Sequence, residues 1–86
     1  MRKNRNNFKS NLPVDFHYNL PVIEFTGNRR AMVEGSTGVL RYCDNVIRIN
    51  TRIFPVEFKG RGLSINCISD TCVIVEGFII NVEFIN

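Results

Sequence analysis

Three cysteines, one histidine and eight carboxylates are the residues in this 86-residue chain that could carry chemistry. A zinc site normally takes four Cys, His or carboxylate ligands in a tight spacing. Cys43, Cys67 and Cys72 form no Cys-x-x-Cys pair, and His17 lies far upstream of them. An odd cysteine count also argues against a disulfide framework. The expectation is reduced thiols acting as small hydrophobes in a cytosolic protein.

Nucleophilic chemistry at a cysteine needs a base beside it, and His17 is the single histidine. General acid–base chemistry needs carboxylates gathered in a cleft. Here Glu57 and Glu83 fall at polar positions of alternating runs, and Glu34 and Glu76 directly precede glycines. Those are ordinary places for solvated charge. Gly35-Ser36-Thr37-Gly38 is glycine-rich but lacks the Gly-Lys-Ser/Thr ending of a phosphate loop, and a hairpin turn accounts for it. No catalytic, cofactor or metal site is expected, so the chain reads as a non-enzyme with no small-molecule substrate.

The elements that would have to position these groups are strands. The chain is 44% hydrophobic and 22% charged, within the globular range. Its apolar residues are mostly Ile, Val and Phe, with one Ala and no Trp, which suits a pleated surface better than a helix. Alternation is explicit. Ile47 and Ile49 oppose Arg48 and Asn50. Phe54, Val56 and Phe58 oppose Glu57 and Lys59. Leu63, Ile65 and Cys67 oppose Ser64 and Asn66. Phe78, Ile80, Val82 and Phe84 oppose Asn81 and Glu83. A period of two is what a half-buried strand requires.

Glycine, asparagine and aspartate punctuate these runs at roughly 8-residue intervals. The expected fold is all-β: a small antiparallel meander of about seven or eight short strands forming a sandwich or roll. A short β-solenoid is the alternative. Residues 20–86 make the single domain.

Residues 1–11 carry Arg2, Lys3, Arg5 and Lys9 with no acid among them. From Leu12 onward seven basic residues face eight acidic ones, so the net charge of +3 belongs to the N-terminal arm. Residues 1–19 are expected to be a flexible basic arm and an extended approach segment, with scope for a short edge strand. No leader and no spanning helix is apparent. A basic arm alone is weak support for nucleic acid, and a small nucleic-acid-binding β-barrel is kept as the alternative function.

Val46, Ile53, Ile79 and Ile85 fall opposite the inward sets, so a single flat sheet would leave them in water. They are the candidate interaction residues. Either the sheet folds over itself or this face meets another chain, by a sheet edge or an apolar face.

The ordered set of elements resembles the YabP/YqfC family of sporulation proteins. The residues that carry the likeness run from Leu20-Pro21 and Gly27-Asn28 through Glu34-Gly35, Gly38-Val39-Leu40 and Tyr42. They continue through Ile47-x-Ile49-x-Thr51, Val56-x-Phe58-x-Gly60, Leu63-x-Ile65, Val73-Ile74-Val75-x-Gly77, Ile80, Val82 and Phe84. Arg52-Ile53-Phe54-Pro55 departs from the pattern, where a glycine-containing turn is expected. The resemblance implies a protein of the mother-cell cytoplasm, peripheral at the forespore membrane. It implies a role in assembling the spore cortex or coat beside a membrane-embedded partner protein. No cofactor is implied.

Overall fold

The computed structural model describes residues 20–86, without the side chain of Cys67. Six strands follow one another: β1 (Val22–Thr26), β2 (Arg30–Glu34), β3 (Ser36–Tyr42), β4 (Val46–Thr51), β5 (Val56–Ile68) and β6 (Cys72–Phe84). The fold is all-β, and every pairing is antiparallel. The strands form one sheet in the order β1-β2-β6-β5-β4-β3.

The count is six rather than seven or eight because two glycine segments bend strands instead of ending them. Gly60-Arg61-Gly62 lies inside β5, and Gly77 lies inside β6. Glycine in a strand permits a bulge or a close approach of two backbones. Both occur here. A Cβ on Gly60 would collide with the carbonyl oxygen of Phe78, and one on Gly77 would stand 2.6 Å from the Gly62 oxygen. The β5–β6 ladder shifts register at three places around these residues.

The long β5–β6 hairpin is the frame. β4 pairs with the first part of β5, and β2 pairs with the first part of β6. Because Val56 faces Phe84 while Ile68 faces Val73, these two additions sit at opposite ends of the hairpin. The turn of each short hairpin is tied to the bend in the middle. Gly77 and Ile79 donate to the carbonyls of Arg29 and Asn28, at 3.0 and 2.8 Å. Gly60 and Leu63 donate to those of Asn45 and Asp44, at 3.1 and 2.7 Å.

The sheet is curled. β2 and β3 are second and sixth in the order, which a flat sheet would separate by about 19 Å at roughly 4.8 Å per strand. One residue, Gly35, joins them, so the segment read as a hairpin turn is instead a corner followed directly by β3. Curling also explains the core. Ala31 and Val33 of β2, Ile47 and Ile49 of β4, Val56 and Phe58 of β5, and Val75 of β6 are fully covered. One face of a flat sheet in water could not reach that burial, and each such large apolar side chain contributes about 1.5–3 kcal/mol. The roll is the form the fold takes.

Candidate interaction surface

One end of the roll is built by the β4–β5 connection and the end of β6. The connection turns without glycine because Thr51 supplies the turn itself. Its hydroxyl accepts from the backbone N–H of Ile53 at 3.3 Å and of Phe54 at 3.1 Å, and donates to the Phe54 carbonyl. A threonine hydroxyl that bonds the backbone two and three residues on is standard turn chemistry. Pro55 then presets the chain for β5.

The turn is locked to β6. Ile85 N–H donates to the Pro55 carbonyl at 2.9 Å. The Phe54 and Phe84 rings pack edge to face, with centroids 5.3 Å apart and planes at 72°. Phe54 packs against the core, whereas Phe84 remains 55% exposed and Ile53 50% exposed. The result is an apolar end held rigidly from two sides.

The four sequence-predicted residues are therefore divided. Ile53 and Ile85 belong to this end, with Ile85 half-buried. Val46 is half-buried at the opposite end of β4, across from Lys59. Ile79 is in the core, 6% exposed, and is unavailable to a partner. The reason is a bulge. Lys59 pairs with Asn81 but Gly60 pairs with Ile79, so Ile80 is an extra residue. The alternation flips there, and Ile80, read as inward from the pattern, is 63% exposed. Phe84 was also placed inward; it keeps that face but lies at the open end. The glycines at 60 and 77 are the sequence signal of an interrupted strand; no signal marks Ile80 as the extra residue.

Charge on the outer face is paired across strands. Arg48 and Glu57 are direct neighbours on β4 and β5. Two hydrogen bonds from Arg48 hold the Glu57 carboxyl below its ordinary value of 4.5, against burial, which pulls the other way. Lys59 Nζ lies 3.5 Å from the second oxygen. Other arginines are engaged as well. Arg29 and Arg61 lie over the Phe78 ring at 5.5 and 5.1 Å from its centroid, and Arg30 lies 3.9 Å from Glu76.

Cys43 is exposed and Cys72 half-buried, both free thiols. His17 and the basic residues Arg2, Lys3, Arg5 and Lys9 lie outside the described residues. Among the described residues, no group of three or more His, Cys, Asp or Glu is placed to hold a metal ion. No helix among them is long and apolar enough to cross a membrane.

No curated protein matches the chain, and no solved structure matches it. A family model does: that of the YabP family, over residues 20–86. The match covers the whole curled sheet, from the residue before Pro21 to the end of the chain. The chain belongs to the YabP family, a sporulation-associated family.

Proposed function

We propose that this domain is a non-enzymatic assembly module that docks a partner protein during construction of the spore envelope. The observation that supports it is the apolar end, where Ile53 and Phe84 are half exposed yet held in place by the Thr51 turn and the Ile85–Pro55 bond. Rigid aromatic and aliphatic anchors cost little entropy to bury, which suits them to the centre of an interface. A membrane-embedded protein of the sporulating mother cell is the partner that the family resemblance implies.

The test is co-purification from the membrane fraction of sporulating cells. The chain carrying Ile53→Asp and Phe84→Asp is compared with the unaltered chain and with Ile68→Asp, a control at another exposed apolar residue, 62% accessible. Loss of the same partner band from the double variant alone supports the reading, provided that its circular dichroism is unchanged. Retention of that band by the double variant ends it.

A further inference from the structure

Phe78 and Ile80 are exposed apolar residues that the apolar end does not use. They flank Ile79, which is in the core, so both stand on the outer face of β6. Phe78 is 38% exposed, and Ile80, the extra residue of the bulge, is 63% exposed. They lie at the bend of the long hairpin. Phe84 is further along β6, roughly 20 Å from Phe78 at the rise of a strand.

Two arginines frame this pair. Arg61 is the direct partner of Phe78 across the β5–β6 ladder, and its guanidinium carbon is 5.1 Å from the ring centroid. Arg29 comes from the turn between β1 and β2 and reaches the same ring at 5.5 Å. The two guanidiniums therefore lie within about a Debye length of each other, on the order of 10 Å. Arg29 is fixed in place. Its Nε donates to the Gly77 carbonyl at 3.1 Å, and its own carbonyl accepts from the Gly77 N–H at 3.0 Å.

The charge of these two arginines is left over. Arg30 has Glu76, and Arg48 and Lys59 share Glu57. Neither Arg29 nor Arg61 forms an ion pair with a carboxylate of the described residues. Two cations held against one ring repel each other, and a carboxylate placed between them attracts both. A guanidinium offers its N–H groups as a planar fork that matches a carboxylate. Arginine and aromatic side chains are also the usual anchors of a protein interface.

The apolar residues indicate what carries the carboxylate. A free small anion would leave Ile80 uncovered. An extended peptide places residues i and i+2 on one face, about 7 Å apart, which is the spacing of Phe78 and Ile80 themselves. A segment with an acid at one such position and an aliphatic residue at the next covers both. Two competing occupants fit less well. Glu57, Glu76 and Glu83 stand on the same outer face, so an anionic bilayer laid on it meets acid as well as base. A nucleic-acid base would need the ring face over which the guanidiniums already lie.

We propose that Arg29, Phe78 and Arg61, with Ile80 beside them, form a docking site for an extended acidic segment of a partner protein. A carboxylate of that segment lies between the guanidiniums, and an aliphatic side chain covers Ile80. The surface is separate from the apolar end, and either can fail without the other.

The experiment is an NMR titration of the full chain with a short blocked peptide in which glutamate and leucine stand two residues apart, spaced by serine. Its glutamine counterpart, a single-stranded oligothymidylate and vesicles of phosphatidylglycerol are the comparison ligands. Shifts of the Phe78 ring and of the Arg29 and Arg61 Nε–H signals that saturate with the glutamate peptide, and not with the glutamine one, support the proposal. So does an affinity that falls about tenfold or more in Arg61→Met and is unchanged in Arg41→Met, an exposed arginine of the same face. Signals that stay in place with the glutamate peptide overturn it. So does tighter binding of the oligonucleotide or the vesicles at the same signals, which gives the site to nucleic acid or lipid. Shifts that follow protein concentration alone also overturn it and give the site to a second copy.

Discussion

Arg48 and Glu57 stand directly opposite each other on β4 and β5, and two guanidinium nitrogens, Nε and Nη2, donate to one carboxylate oxygen at 2.8 and 2.6 Å. The pair is the middle of a row across four strands. Arg41 lies beyond Arg48, and Glu83 lies beyond Glu57. Like charges directly opposite destabilise a sheet, so the outer members of the row are tolerated because the inner two attract.

Stability should fall in acid through this pair. The folded-state value of Glu57 is depressed, so its contribution is complete above the ordinary value of 4.5 and fades as pH drops below it, through the folded value. Urea unfolding between pH 7 and pH 3 is expected to show this loss. In Glu57→Gln the acid slope should be shallower. An unchanged slope in that variant would assign the acid sensitivity to other carboxylates.

Thr51→Val keeps the shape of the side chain and removes the hydroxyl that holds the Ile53 and Phe54 N–H groups. The expected cost is about 1–2 kcal/mol, because two backbone donors in a part-buried turn lose their acceptor. Thr51→Ser should cost less. The midpoints of urea denaturation distinguish the three proteins.

Gly77→Ala would force a Cβ to within 2.6 Å of the Gly62 oxygen and 2.9 Å of the Leu63 Cα, at a φ of +136°. Backbone strain of this kind costs on the order of 1–3 kcal/mol. For a domain of this size that lowers Tm by roughly 4–8 °C per kcal/mol, and thermal melts read it directly. A melt indistinguishable from the parent would mean that the bend can relax without glycine.

The Phe78 ring should couple energetically to Arg61, whose guanidinium carbon is 5.1 Å from its centroid. A double-mutant cycle with Phe78→Leu and Arg61→Met is expected to give about 0.5–1 kcal/mol of coupling. A coupling near zero would make the contact incidental.

Much of this fold was legible in the residues. Ile47 and Ile49, or Val56 and Phe58, sit where strict alternation with polar neighbours puts them, because nothing interrupts the pleat there. Ile79 and Ile80 exchanged faces because a bulge is set by how two distant strands meet at the bend, not by the local pattern. The glycines at 60 and 77 announce a change of direction, but a turn between strands and a bend within one use the same residue. The 52–55 turn hid its mechanism one residue upstream, in the hydroxyl of Thr51. Of the apolar end beside the 52–55 turn, Ile53 and Ile85 fall on the face that the pattern leaves over from the inward sets. Phe84 does not, and is exposed because a strand terminus can leave an inward-facing residue uncovered.

The single-residue corner at Gly35 also governs the order of events in folding. β2 and β3 part there, and β2 finds its second neighbour in residues 72–76, some forty positions later. Closing so long a loop carries an entropic cost that the β1–β2 hairpin alone cannot recover, and such distant pairings slow folding. During synthesis the β1–β2 hairpin therefore lacks its second strand neighbour until residues 72–76 have been made.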